Sequence, residues 1–349
     1  MGHPELDNPT PFHLEPLFLA DEDGRPLVVP LLKATYVLSD RGLIVAELQA
    51  EPNLAGEMYG EPGRSSYRYE PEGCWPKPAT DVVLLGEAFA PRRGTKELLV
   101  SLQVGPLKKA LQVVGDRVFF KSIGGPQMSD PVPFERIPLQ WERAFGGWDR
   151  SSPDVKKHSC EPRNPVGTGY RAPGSSFEEG VRAPNLEEPG RPFRGWGDRC
   201  TPAGFGFVSP DWEPRRQYAG TYDERWTKER SPLLPQDFDR RFLNAGSPGL
   251  VAPGHLRGDE VVSVTGVSAA GLLAFRLPGV AAPTFVIQHA GRPDQNLPGR
   301  LDTVIIDTEV GKVFFLWRAQ GFIREPSAVR SVQVKPGVGM PVAASASGV

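Results

Sequence analysis

The stretch LVVPLLKATYVLSDRGLIVAEL, residues 27–48, is the strongest structural signal in the chain. Leu27 to Leu38 is almost wholly apolar and rich in β-branched and aromatic side chains, which suit a pleated surface. Ser39-Asp40-Arg41-Gly42 reads as a turn, because Ser and Asp bond their own backbone and Gly accepts positive φ. Leu43 to Leu48 is then the return strand, and the whole is a β-hairpin.

The same style extends outward. Asp81 to Phe89, Glu97 to Val104, Ala110 to Val114 and Arg117 to Lys121 are short strand-like runs, punctuated by Gly94, Gly105-Pro106 and Gly115-Asp116. It returns near the other end of the chain, in Glu260 to Val267, Leu272 to Leu277, Thr284 to His289, Thr303 to Asp307 and Lys312 to Arg318. Turn signals at this spacing favour a sandwich or barrel. A faint echo links 80–91 with 259–270 and 113–120 with 309–315, which raises an internal duplication.

Composition points the same way. The 349 residues include 39 Gly and 38 Pro, about 22% of the chain. Pro costs about 3 kcal/mol inside a helix and Gly about 1, so a mainly helical protein is excluded. Seven Trp and 18 Phe argue for a packed core rather than disorder. The predicted fold is therefore mainly β: two antiparallel β-sandwich-like halves, 1–128 and 259–349, joined by a long irregular region, 129–258, with one or two short helices. That middle region holds 17 Pro, 16 Gly and five of the seven Trp. Its helical candidates are Phe134 to Phe145 and Pro235 to Asn244. It is expected to lie as ordered loops over the β cores, and the tail 335–349 is expected to fray.

The net charge of −2 argues against a dedicated nucleic-acid binder. Cys74, Cys160 and Cys200 are odd in number and form no CxxC pair, which suits a reducing compartment. The opening MGHPELDNPT has no charged segment leading into an apolar one, and no apolar run reaches 18 residues. The expectation is a cytoplasmic chain without membrane insertion. No phosphate loop, nucleophile elbow or zinc spacing is found, so no catalytic residue, cofactor or metal is assigned. The remaining enzymatic option is a carbohydrate-active enzyme using two carboxylates among Glu142, Asp149, Asp223, Glu224, Asp237 and Asp239.

Nine strings in order carry more information: KATYVL (33–38), YGEPGRSSYRYE (59–70), KPATDVVLLGEAFAP (77–91), PLQWERAFGGWD (138–149), NPVGTGY (164–170), APNLEEP (183–189), PAGFG (202–206), AGTYDERW (219–226) and LPQDFDRRF (234–242). Together they resemble a bacterial family catalogued as a domain of unknown function. Its members accompany type VI secretion genes and act as adaptors or chaperones in effector loading. The resemblance implies a non-enzymatic protein whose partners are a secreted effector or PAAR protein and the VgrG spike. A structural subunit of a phage-tail-like machine is the other non-enzymatic alternative.

Within the strings, structural roles are expected for Asp81, Trp141, Glu142, Arg143, Phe145, Gly146, Gly147, Asn164, Pro165 and Asp223. Gly146-Gly147 would supply positive φ, Trp141, Phe145 and Trp148 would pin the turn to the core, and Asn164 would close an Asx turn. Asp81 and Asp223 would accept backbone N–H groups. Arg143 is either a salt-bridge partner or an interface fork. The partner surface is expected to use Arg68, Tyr69, Trp196, Trp212, Arg215, Arg216 and Tyr218, since Trp, Tyr and Arg dominate interface energetics.

Overall fold

The computed structural model describes residues 3–343. Its centre is a seven-stranded sheet ordered His13–Ala20, Pro26–Ser39, Lys312–Arg318, Arg300–Asp307, Asp81–Leu85, with Gly42–Val45 and Gly321–Phe322 also paired to Pro26–Ser39. The pairs are antiparallel except Arg300–Asp307 with Asp81–Leu85, which run parallel. The Leu27–Leu48 hairpin is there, its return strand shortened to Gly42–Val45. In the ladder of the first two strands Pro16 faces Pro30. Neither has an N–H to give, so this is a non-hydrogen-bonded pair and costs no ladder bond.

A five-stranded sheet orders Leu186–Glu187, Leu107–Val114, Glu97–Val104, Val261–Thr265 and Leu272–Arg276. A four-stranded sheet orders Glu5–Asp7, Val329–Lys335, Thr284–His289 and Arg292–Pro298. The protein is thus mainly β with several sheets. The two strand-rich zones do not keep to separate sheets, however, because each of these three combines strands from both ends of the chain. Of the echoing segments, Asp81–Leu85 lies in the central sheet and Val261–Thr265 in the five-stranded one.

The central strands are buried on both faces. Leu32, Ala34, Tyr36, Val82, Phe315 and Trp317 join the main core shared with the other sheets. Leu31, Val83, Ile305, Phe314 and Leu316 form a second core on the opposite face, closed by Phe207 and Ala245 of the middle region and by Tyr67, Tyr69 and Trp75. This second face also carries charges, each answered by a covering loop or by the neighbouring strand. Lys33 meets Glu72, Arg318 meets Asp302 and the Glu72 carbonyl, and Asp81 meets Lys77, Asn244 and the Ala245 N–H. Glu70 accepts from Lys77 and Arg215, and Tyr69 donates to Asp307. Buried charges survive only when paired, so this seam fixes where the irregular cover can sit.

Helix is sparse. The predicted helix at Phe134 to Phe145 is instead the strand Arg136–Pro138 followed by the single 3₁₀ turn Trp141–Arg143. Pro138 and the extended backbone it favours exclude a helix there. The Pro235 to Asn244 candidate narrows to the 3₁₀ turn Arg240–Leu243. The single α-helix among the described residues is Glu224–Glu229, capped by Asp223 Oδ1 accepting from the Trp226 N–H. The described part of the tail makes contacts with the rest of the fold. Met340 is buried and the Ala343 N–H donates to the Pro9 carbonyl, while 344–349 lie outside the described residues. No helix among the described residues is long and apolar enough to cross a membrane.

Candidate binding site

Two of the motif strings meet backbone to backbone. Phe145–Gly146 pairs in parallel with Thr168–Gly169, and Trp148–Asp149 pairs with Ser159–Cys160. Between them Gly146 (φ 151°) and Gly147 (φ 96°) press against the 164–167 turn. A Cβ on Gly147 would lie 2.3 Å from the Gly167 carbonyl oxygen, and one on Gly167 would lie 2.3 Å from Asn164 Nδ2. Any larger side chain separates the strands. Asn164 is fully buried, and its Nδ2 donates to the Trp141 and Phe145 carbonyls. Asp149 fixes the far side, accepting from Ser151 N–H and Oγ, from Ala172 N–H and from Ser175 Oγ. Burial alone would raise its carboxyl. The serine and amide hydrogen bonds outweigh that and hold it below the usual carboxylate range.

A third string is tied in by Glu142, which accepts from Ser66 N–H (2.6 Å) and Ser66 Oγ (2.9 Å). This brings the 59–66 loop against the two glycine turns. The result is an open recess of about 530 Å³ with a glycine and proline floor (Gly63, Gly147, Pro165, Gly167) and charged walls. Arg64, Arg150 and Arg171 face it with Glu178 as the one carboxylate. Arg171 pairs with Glu178 at 3.0 Å and lies over the Trp196 ring, and its Nε has no hydrogen-bond partner. Arg64 reaches only Glu61, both largely exposed, so that pair contributes little. Trp148 stands at the rim, 45% exposed, with the Arg150 guanidinium 5.1 Å above its ring.

Trp148 therefore corrects the expectation that it pins the turn to the core. Along an extended backbone successive side chains alternate, so with Phe145 and Asp149 inward Trp148 points out. Trp141 and Phe145 are buried, Trp141 edge-on to Trp212 at 6.0 Å and Phe145 against Phe193 at 5.8 Å. Arg143 is a bridging residue, donating to Asp116 and to Asn185 Oδ1.

The seven residues expected to meet a partner do not form one surface. Trp212 and Arg215 are internal, at 3% and 6% exposure. Arg215 donates to Glu70 and to the Val208 and Phe242 carbonyls, a fork closing loops rather than gripping a partner. Arg68 faces Asp307, Glu309 and Glu57, and Tyr69 packs on the second core. Trp196 belongs to a small cluster with Phe119 and Phe177. Arg216 is exposed, and Tyr218 lies beneath the Arg241 guanidinium. Composition around a residue does not reveal its facing, which explains the misplacement. Arg64, Arg150 and Arg171, passed over in the sequence, sit inside or just beyond motif strings, and that adjacency was their only signal.

The carboxylates are engaged individually. Glu224 pairs with Lys228, Asp237 accepts from Thr221 N–H and Oγ1, and Asp239 from Arg241. Asp223, Glu229 and Asp237 share a recess of about 360 Å³ beside the helix with Arg225, which pairs with Glu229, and Arg230, which pairs with Asp23.

Residues 23–318 match the model of a family described as "Uncharacterized protein conserved in bacteria" (DUF2169), and the chain belongs to that family. No curated protein matches it, and no solved structure does.

Proposed function

We propose that this member of the DUF2169 family is a non-enzymatic adaptor that holds a secreted effector or PAAR-bearing partner and helps load it onto the VgrG spike. One observation carries the reading. Three of the strings that resemble the secretion adaptors, separated by up to about 100 residues, converge on one open recess. Their shared feature is a backbone platform that presents outward an exposed Trp and two exposed arginines, Arg64 and Arg150, with Arg171 paired to Glu178 in its wall, and Trp and Arg are side chains that dominate protein hot spots. The individual engagement of Glu142, Asp149, Asp223 and Asp239 supports binding over glycoside hydrolysis, which needs two free carboxyl groups across a cleft.

The test is co-expression with the products of neighbouring genes, capture by a tag, and mass spectrometry. The expected result is a stoichiometric effector or PAAR partner that Trp148→Ala with Arg150→Glu releases while the fold is kept. Self-association with no partner would favour an assembly subunit. A partner retained in full by the double variant would move the interface elsewhere.

A further inference from the structure

A second recess, independent of the adaptor reading, opens where the central sheet, the edge of the four-stranded sheet and the covering loops meet. Its volume is about 310 Å³. Its polar lining is Lys77, Arg240, Arg300, Arg318 and Gln320, and the rest is proline, leucine and alanine. Four cations and no carboxylate thus face one recess.

The counter-charges lie behind the lining. Lys77, 3% exposed, is held by Asp81 at 2.7 Å and Glu70 at 3.4 Å. Arg318, 1% exposed, spends its two terminal nitrogens on Asp302 and the Glu72 carbonyl, and its Nε has no hydrogen-bond partner. Arg240 is forked onto Glu22 and touches Gln320 Oε1 at 3.2 Å. Arg300 has no carboxylate within salt-bridge distance among the described residues. It also stands directly opposite Arg318 in the ladder of their two strands. Like charges across a ladder are unfavourable, and here only one of the two is neutralised.

We propose that this recess binds the phosphate group of a small molecule, with Arg300 as the principal ligand, Arg240 beside it and Lys77 and Arg318 as a fixed cationic floor. Guanidiniums converging from two strands and a 3₁₀ turn suit the many oxygens of a phosphate better than a single carboxylate. The volume lies at the lower end of small-molecule sites.

The test is calorimetry and thermal shift on the full chain with inorganic phosphate, inorganic pyrophosphate and, as a carboxylate control, citrate. Pyrophosphate is expected to bind and to raise the melting temperature, with affinity falling as salt rises. Arg300→Ala should weaken it about tenfold or more, and Arg300→Glu should abolish it. Arg300 is exposed and opposes Arg318, so both variants should melt no lower than the wild type without ligand, and both should still capture a partner held at the Trp148 recess. Binding of free phosphate as tight as pyrophosphate would assign the site to the ion itself, and weaker binding to a phosphorylated molecule. No binding of either at about 10 mM, equal binding by Arg300→Glu, or tighter binding of citrate would overturn the proposal.

Discussion

Replacing Lys33 by Met probes the charged seam directly. Lys33 Nζ sits 2.7 and 2.8 Å from the two Glu72 oxygens and 3.1 Å from the Glu51 carbonyl, with both side chains of the pair about 95% buried. Met keeps the apolar stem against Phe314, over whose ring the ammonium now lies at 5.4 Å. What changes is that Glu72 keeps its charge with only the Asn53 N–H to satisfy it. Removing one partner of a buried pair costs about 3–5 kcal/mol. Adding Glu72→Gln removes the stranded charge and leaves an acceptor for Asn53, so the double variant should recover to within about 1–2 kcal/mol of wild type. The assay is urea unfolding of the wild type, both singles and the double, read as midpoints at constant slope. A Lys33→Met cost below about 1 kcal/mol, the range of exposed pairs, would refute the reasoning, as would a double variant no more stable than Lys33→Met alone.

Gly167→Ala should destabilise by about 2 kcal/mol or more, read by thermal melting, because its Cβ meets Asn164, Ala144 and Gly146 all within 2.8 Å. Trp212→Ala should cost about 3–5 kcal/mol as a core cavity, whereas exposed Arg216→Ala should stay within about 0.5 kcal/mol. A reversal of that order would restore Trp212 to the surface. Lys109 donates to Ser247 Oγ and the Pro248 carbonyl, and burial pushes its amine down to about 7, only weakly opposed by Glu188. The unfolded chain binds that proton up to about pH 10, so stability should rise from pH 7 towards 10. Lys109→Met should flatten that rise in a pH series of melts.

Most strands were legible because their period and their turns agree. Pro26–Ser39, Glu97–Val104 and Lys312–Arg318 read as strands from side chains alone. Arg292–Pro298 did not. Its seven residues include two prolines and no β-branched side chain, and an edge position against Thr284–His289 makes it a strand. His13–Ala20 was hidden in the same way by Pro16, whose partner Pro30 is visible only in the register. Sheet membership was not legible either, since which strand lies beside Asp81–Leu85 is set by residues 303–307, far along the chain. At the recess the sequence offered the right strings but not their facing. Trp148 and Trp212 have similar neighbours and opposite fates, and only the pairing of Trp148 with Cys160 decides which one meets water.

The sharing of sheets between the two ends of the chain has a consequence for synthesis. Pro26–Ser39 and Asp81–Leu85 leave the ribosome early, yet Lys312–Arg318 and Arg300–Asp307, which must lie between them, emerge more than 200 residues later. Until then two of the most apolar segments wait with unpaired edges. Loop closure over such a distance makes folding slow and exposes the nascent chain to misassembly. Fragments ending near residue 128 or beginning near 259 are accordingly poor vehicles for mapping a partner, because each lacks at least one strand of every major sheet.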